Sequence, residues 1–284
     1  MSQNTKKTLN CRGRLVDLSH GPAVMGILNI TPDSFFAGSR VPAGGALEQA
    51  LIDRAGQMLQ DGASFLDIGG YSTRPGAPNI SPSEEADRVL PAIEAIRRHW
   101  PEALLSVDTF RAEVARQAVE AGACMVNDVA GGTLDLQMFE TVAALQVPYV
   151  LMHMRGTPQT MQSMATYTNV VTEVIDELAI QLARLRALGQ LDVLLDPGFG
   201  FAKTPAHNFA LLHRLEAFRV FDEPLLIGLS RKSTIWRTLG ITADEALNGT
   251  TVLNTVALQK GASILRVHDV REAVEAVTLV GHLR

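Results

Sequence analysis

The sequence predicts a single-domain (β/α)8 barrel, and three observations favour this fold class. Short runs rich in Val, Ile and Leu alternate with longer stretches whose apolar residues recur every three or four positions, which is typical of βα units. The 284 residues hold eight such units, the number that closes a barrel. No G-x-G-x-x-G pattern follows the first apolar run, so an open doubly wound sheet is the less favoured alternative.

The predicted elements follow one another in a regular order. A polar stretch comes first, and we expect residues 1–14 to form a disordered tail and residues 15–284 to form the barrel. The predicted strands are residues 24–29, 65–68, 104–108, 124–127, 148–153, 193–196, 225–228 and 264–267. Helical patterns lie between them, for example in residues 43–62, 83–100, 111–122, 168–189 and 249–261, and several end at a glycine, as helices commonly do.

The composition indicates a globular protein and excludes several partners. Hydrophobic residues make up 46% and charged residues 19% of the chain, unlike a disordered or collagen-like protein. There are 25 Lys and Arg against 30 Asp and Glu, so we expect neither nucleic acid nor a membrane surface as a partner. Cys11 and Cys124 form no C-x-x-C pair, and no apolar run is long enough to span a membrane. These features predict a soluble cytoplasmic protein.

Polar side chains stand at the ends of nearly all the predicted strands, which is where a barrel of this type has its active site. In chain order they are Asn29, Asp67, Asp108, Asn127, His153, Asp196, Ser230, Arg231, Lys232, Arg266 and His268. Each alone has an ordinary explanation, since Asp108 could cap the next helix and Asp196 precedes a Pro-Gly turn. Caps and turns do not explain the whole series, so we predict a site there.

The residue types in this series indicate the chemistry of a ligand. Two carboxylates, an amide and Lys232 suit a flat heterocycle with an amino-amidine edge and a carbonyl group. Arg266 and His268 are two residues apart on one strand end, so we expect them to bind an anion such as phosphate together. His153 lies on an apolar strand, and we expect a hydrogen-bonded core histidine there rather than a catalytic base.

Two long segments, residues 31–45 and 69–82, follow the first two strands and are predicted to be binding loops or lids. Arg74 in the second segment is placed for a cationic contact, although a solvated surface arginine would look the same. The sequence SRKS at residues 230–233 precedes a helical pattern, where free backbone N–H groups could hold a carboxylate or phosphate.

These residues occur within stretches that resemble the dihydropteroate synthase family of pterin-binding enzymes. The stretches are MGILNITPDSF, DIGGYSTRPGA, SVDTFRAEVARQAVEAGACMVNDVAGG, LMHMRGTPQTMQ, LDPGFGFAKT, GLSRKS and RVHDV, and they run from about Met25 to the C-terminus. The resemblance implies a barrel that condenses 6-hydroxymethyl-7,8-dihydropterin diphosphate with 4-aminobenzoate, with Mg²⁺ as cofactor and a homodimeric assembly. It also implies loss of diphosphate to leave a delocalised cation, followed by attack of the amine.

The resemblance also implies a role for particular residues. Asp108, Asn127 and Asp196 would bind the amino and ring-nitrogen edge of the pterin, with Lys232 at its carbonyl side and Met152 and Phe201 as walls. The diphosphate would be bound by Arg266, His268 and Asn29, the last through Mg²⁺, which prefers oxygen ligands. The aminobenzoate pocket would be formed by Phe35, Thr73, Arg74, Pro75 and Ser233. Lys232, Arg266, His268 and Arg74 would be the catalytic residues.

The chain departs from the family pattern in both predicted lids. Tyr71 stands where the family usually has Glu, and Phe36 and Ala37 stand where it usually has Ser-Asp. The resemblance implies that this Asp orders the closed loops together with the loop arginine, so the second departure bears on how Arg74 is positioned. The altered first loop leaves open the alternative of a pterin-binding protein without catalytic activity. A methyltetrahydrofolate-dependent methyltransferase, which uses a related pterin-binding barrel, is a second alternative, and the STRPG and SRKS sequences argue against it.

Overall fold

A computed structural model describes residues 7–30, 46–73 and 78–283 of the chain. Eight parallel strands form its central sheet, in the order β8-β7-β6-β5-β4-β3-β10-β9. They are β3 (Ala23–Asn29), β4 (Phe65–Gly69), β5 (Leu105–Asp108), β6 (Met125–Asp128), β7 (Tyr149–Met152), β8 (Val193–Asp196), β9 (Leu226–Ile227) and β10 (Ile264–Val267). A parallel bridge between Leu195 and Leu225 joins the two outer strands, so the sheet closes into the predicted barrel.

Helices cover the outside of this barrel. They are α1 (Ala46–Gln60), α2 (Pro82–His99), α3 (Ala112–Ala121), α4 (Met138–Leu145), α5 (Val170–Ala187), α6 (Pro205–His213), α7 (Ser233–Leu239), α8 (Leu247–Gln259) and α9 (Val270–Gly281). The sequence of α2 shows why such a helix forms: Ser81 and Glu84 make a reciprocal capping box at its start. Val89, Ile93 and Ile96 then recur at helical spacing, and all three are fully buried against the sheet.

The predicted disordered tail is wrong for the residues that the structure describes there. Thr8–Cys11 (β1) and Arg14–Asp17 (β2) form an antiparallel hairpin, and the Leu9 side chain is fully buried. Leu9 and Cys11 pack on inward-facing residues of the barrel strands, including Met25 and Phe65. The hairpin thus closes the end of the barrel opposite the predicted site. Leu9 and Cys11 are separated by the polar Asn10 in a stretch that is otherwise mostly polar, so composition did not predict their burial.

The register of the strands brings the predicted site residues to one end of the barrel. Asn29 pairs with Gly69, Gly69 with Asp108, and Asp108 with Asn127 across successive strands. Asp196 ends β8 and is paired with Met152 at the end of β7.

Within the described ranges, no helix combines the length and apolar character that crossing a membrane requires.

Candidate active site

A buried network of carboxylate, amide and guanidinium groups lies at the carboxyl ends of β4, β5, β6 and β10. Arg266 donates through Nε to Oδ2 of Asp67 and through Nη2 to Oδ2 of Asp108, both at 2.6 Å. Asn127 donates through Nδ2 to the same Oδ2 of Asp67 at 2.9 Å. Asp67 is fully buried and Asn127 nearly so. Two of the predicted pterin ligands, Asp108 and Asn127, therefore belong to one connected group.

Asp108 is a member of this site and does not cap the following helix. The backbone N–H of Ala112, at the start of α3, donates to Asp135 at 2.8 Å instead. Burial raises the pKa of Asp108 to about 7, against the opposing effect of the Arg266 charge, while repulsion from Asp67 adds to the rise. Near neutral pH this carboxyl group can therefore exist with or without its proton.

The second part of the site joins the ends of β8 and β9. Asp196 is buried and accepts a hydrogen bond from the N–H of Gly198 at 2.7 Å, so it shapes the Pro-Gly turn as well as facing the site. Burial raises the pKa of Asp196, and the nearby charge of Lys232 opposes that rise. Burial lowers the pKa of Lys232 to about 8, and the charges of Asp196, Arg266 and Asp108 also act on it. Lys232 thus links the two parts electrostatically.

The loop after β8 fixes the position of the Lys232 side chain. Its ammonium group donates to the carbonyl of Phe199 and lies 4.7 Å from the centroid of the Phe201 ring. Gly200 in this loop has a φ of +82°, and a Cβ there would come within 3.2 Å of Cδ of Lys232. Glycine is therefore favoured here, both by the positive φ and by the close approach of the lysine stem.

Met152 and Phe201, the predicted walls of the pterin slot, belong to one apolar cluster. Met152 is buried in it together with Met154 and Met161, and the partly buried Phe201 packs against them. The cluster adjoins Asp196 and Lys232, because Phe201 contacts the lysine and Met152 pairs with Asp196. An apolar face therefore adjoins the polar rim, as recognition of a flat ring requires.

Asn29, the predicted metal ligand, faces Asp108 across Gly69. A Cβ on Gly69 would lie 3.6 Å from Oδ1 of Asn29 and 3.7 Å from Oδ2 of Asp108. The amide and carboxylate oxygens are the kind of ligand that Mg²⁺ binds. The described residues contain no cluster of three or more His, Cys, Asp or Glu able to hold a metal ion. The oxygens fit an ion that takes most of its ligands from water and from a bound substrate.

Arg266 and His268, expected to bind an anion together, have different partners in the structure. Arg266 contacts Asp67 and Asp108, whereas Nδ1 of His268 lies 3.0 Å from Oγ of Ser230. The backbone N–H of His268 also donates to that hydroxyl, at 3.2 Å. Residues two apart on a strand end can share a face, but the Arg266 guanidinium is paired with Asp67 and Asp108, which neutralise its charge.

The predicted aminobenzoate pocket is described only in part. Thr73 is half-buried in the loop after β4, and Ser233 begins α7 directly after Lys232. Phe35, Arg74 and Pro75 lie outside the described residues, as do Phe36 and Ala37. Tyr71, at the family's Glu position, accepts a hydrogen bond from Nε2 of Gln159 at 2.9 Å, which ties its loop to the segment after β7.

The structure contains a Lys203–His153–Glu177 chain, with the lysine and histidine buried, that residue types alone did not reveal. His153 is a hydrogen-bonded core histidine, as expected: its Nδ1 lies 2.9 Å from Nζ of Lys203 and its Nε2 lies 3.0 Å from Glu177. Burial lowers the pKa of His153 to about 4 and that of Lys203 to about 7. Lys203 also donates to the carbonyl of Phe201 at 3.0 Å, so the chain supports the wall of the slot. The only sequence signal was the position of Lys203 inside the stretch LDPGFGFAKT.

Comparison with known proteins agrees with this geometry. The family model described as pterin binding enzyme matches residues 25–268. A dihydropteroate synthase of Escherichia coli strain K12 is 43% identical over 96% of this chain and 95% of its own length. A Bacillus subtilis dihydropteroate synthase is 41% identical over 88% of this chain and 84% of its own length.

Solved structures give the same result. A Yersinia pestis dihydropteroate synthase in a sulfonamide complex superimposes with a TM-score of 0.89 at 42% identity, covering 98% of this chain and 99% of that one. The Xanthomonas albilineans enzyme with 4-aminobenzoic acid gives a TM-score of 0.88 at 39% identity, covering 98% of each chain. The chain therefore belongs to the pterin-binding enzyme family.

Proposed function

We propose that this chain is a dihydropteroate synthase, which joins 6-hydroxymethyl-7,8-dihydropterin diphosphate to 4-aminobenzoate and releases diphosphate. The observation that carries the proposal is the meeting of Asp108, Asn127, Asp196 and Lys232 at one end of the barrel. Relatives that share the fold are solved with 4-aminobenzoic acid and with 7,8-dihydropteroate, the second substrate and the product of this reaction. The activity places the chain in folate biosynthesis as a transferase.

The polar rim recognises the pterin by matching hydrogen-bond donors and acceptors. Ionised Asp108 and Asp196 accept N–H bonds from the amino and ring-nitrogen edge of the ring. Asn127 contributes an amide, and Lys232 donates to the carbonyl and N5 side. Met152 and Phe201 form apolar walls of the slot. In support of this arrangement, all four polar side chains are at least half-buried. Each therefore makes fewer hydrogen bonds to water, and the bound ligand supplies hydrogen bonds in their place.

The diphosphate is the leaving group, and positive charge must balance the charge that develops on it. Arg266 and His268 stand at the end of β10 and would bind it once the substrate is in place. Asn29 would hold Mg²⁺ together with diphosphate oxygens, and the bound ion supplies further charge stabilisation there. The oxygens of Asn29 and Asp108 around Gly69 support this placement.

The reaction proceeds by breaking the C–O bond to diphosphate before the new C–N bond forms. The carbon adjoins an electron-rich dihydropterin ring, which delocalises the positive charge, so no side chain needs to act as a covalent nucleophile. The protein therefore orients the ring, stabilises the departing diphosphate and excludes water that would capture the cation. The aminobenzoate nitrogen attacks the carbon and then releases a proton.

The proposed aminobenzoate pocket would be formed by Thr73 and Ser233 together with Phe35, Arg74 and Pro75, which lie outside the described residues. Thr73 and Ser233 are both half-buried, which supports a place beside the polar rim of the site.

We also propose a cytoplasmic homodimer, in which the late helices α8 and α9 of one subunit contact the same helices of the other subunit. Val252 and Leu279 on these helices are exposed, which supports an apolar contact.

Release of diphosphate on mixing both substrates with Mg²⁺ tests the proposed function. A dihydropteroate synthase releases diphosphate and forms 7,8-dihydropteroate only when both substrates are present. Binding of the pterin diphosphate without turnover would instead identify a non-catalytic pterin-binding protein. Methyl transfer from methyltetrahydrofolate to a corrinoid acceptor, without diphosphate release, would identify the methyltransferase alternative.

A further inference from the structure

Asp67 is the most completely buried carboxylate in the site, and the sequence placed it at a strand end without a role of its own. It lies within β4, and its side chain has no exposed surface. One oxygen, Oδ2, accepts both the Nε–H of Arg266 at 2.6 Å and an Nδ2–H of Asn127 at 2.9 Å. The other oxygen, Oδ1, is buried and has no hydrogen-bond partner within the described part of the chain.

The shared oxygen decides which way the Asn127 amide points. An amide side chain has a donor end and an acceptor end, and exchanging them would set Oδ1 of Asn127 against a carboxylate oxygen. That arrangement replaces a hydrogen bond with repulsion at a site where water cannot compensate. Asp67 therefore holds Nδ2 toward itself and leaves Oδ1 of Asn127 as an acceptor for another group.

The same oxygen also sets the position of Arg266. Its Nε–H is held by Asp67 while Nη2 reaches Asp108, so the plane of the guanidinium is fixed by two contacts. Both effects converge on groups that the proposed function assigns to substrate binding. Asp67 itself lies behind them, because Asn127 and Arg266 occupy the accepting face of its Oδ2.

We propose that Asp67 is a positioning residue that makes the site selective for a ring N–H. It presents Oδ1 of Asn127 to an N–H donor of the pterin and holds Arg266 in the plane required at the site, without touching the substrate. This inference rests on the proposed function. It adds that the preference for an N–H donor at this point of the ring is set by Asp67, which contacts Asn127 and not the ligand.

Replacing Asp67 separates positioning from simple charge balance. Asp67→Ala removes the shared acceptor, and we expect calorimetry with pterin diphosphate and Mg²⁺ to show an affinity loss of about ten-fold or more. Asp67→Asn keeps an oxygen at the shared position, because the reverse orientation would set its NH₂ against two donors. We therefore expect this variant to stay within about three-fold of the unchanged protein. Equal damage by both variants, or no loss with Asp67→Ala, would overturn the proposal.

A double-variant cycle tests whether Asp67 acts through Asn127. The affinity loss of Asp67→Ala combined with Asn127→Ala should be smaller than the product of the two single losses, because both changes remove one arrangement. Glu85→Gln provides the matched control, since Glu85 is also fully buried and pairs with Arg111 at 2.6 Å. Any affinity loss of Glu85→Gln should be independent of the loss in Asn127→Ala, so the double variant should show the product of the two single losses. Multiplying losses in the Asp67 cycle would contradict the mechanism.

A measurement on the unchanged protein covers the case in which Asp67→Ala does not fold. Neutron diffraction from crystals with bound pterin diphosphate distinguishes the NH₂ and oxygen ends of Asn127 directly. We expect the NH₂ group to face Asp67 and the oxygen to face a ring N–H. The reverse orientation would overturn the inference. The proposed activity would stand in either case, because diphosphate release from the unchanged protein is measured separately.

Discussion

Arg266 and Asp108 are joined by a hydrogen bond of 2.6 Å between Nη2 and Oδ2, yet the pKa of Asp108 is raised to about 7. The pairing does not dominate because burial penalises the charged form of Asp108, and Asp67, which shares the same guanidinium, repels that charge as well. A carboxylate in this setting can change its protonation when a ligand binds. The pH dependence of ligand affinity therefore measures the protonation of Asp108 in the site.

The affinity for pterin diphosphate should be highest between about pH 7 and pH 8. Below pH 7, Asp108 takes up a proton and loses acceptor capacity, so affinity falls by a factor approaching ten per pH unit. Above pH 8, Lys232 loses its charge and affinity falls again. Calorimetry from pH 6 to pH 9 measures both limbs. Asp108→Asn is the control for ionisation of the diphosphate, and an unchanged acid limb in that variant would refute the assignment.

Loss of either Lys232 or Asp196 should weaken pterin binding strongly. Lys232→Ala or Asp196→Asn leaves the remaining buried group without its opposite charge, at a cost of about 1–3 kcal/mol. Isothermal calorimetry with pterin diphosphate gives this difference. Lys260→Ala is a suitable control, because its ion pair with Glu216 is at the surface and should not alter affinity. Unchanged affinity in both site variants would contradict the assigned roles.

Arg74→Ala should impair the use of aminobenzoate and leave pterin binding nearly intact. The proposal places Arg74 in the pocket for the second substrate, where its guanidinium contacts the carboxylate. We expect the KM for 4-aminobenzoate to rise about ten-fold or more, from the loss of a charged hydrogen bond. Steady-state kinetics and pterin calorimetry on the same preparation distinguish the two substrates. A parallel loss of pterin affinity would show that Arg74 acts elsewhere.

The amino-terminal hairpin should contribute to stability and not to catalysis. Leu9→Ala opens a cavity beneath the barrel and should lower the free energy of unfolding by about 2–5 kcal/mol. Leu15→Ala, in the other strand of the hairpin, changes a leucine that is 73% exposed and should alter it by less than about 0.5 kcal/mol. Urea unfolding measures both. Equal effects would mean that the hairpin does not pack as described.

The barrel could be predicted because its strands are short apolar runs whose positions do not depend on distant residues. β8 and β10 have the predicted bounds, and the other barrel strands differ by one or two residues at their ends. The hairpin was not predicted because Leu9 is buried only by its contacts with the amino-terminal ends of the barrel strands, which are distant in sequence. Alternation over four residues is too brief a pattern to predict this.

The polar residues at the strand ends could also be predicted, but their pairing could not. Their positions at the ends of predicted strands predicted that Asp108, Asn127, Asp196 and Lys232 lie together, because parallel strands end on the same side of a barrel. It did not give the contact of Arg266 with Asp67, which joins residues 199 positions apart. Such contacts depend on the stagger of the strands and on side-chain length, which residue type alone does not specify.

A crystal structure with bound pterin diphosphate tests the central claim most directly. We expect the bicyclic ring to lie against Met152 and Phe201, with hydrogen bonds of about 3 Å to Asp108, Asn127, Asp196 and Lys232. Density for the ring elsewhere would contradict the account, for example in the cavity of about 470 Å³ between α5 and α6 that is lined by residues including Tyr167, His207 and Arg214. A ring that contacts none of the four polar side chains would do the same.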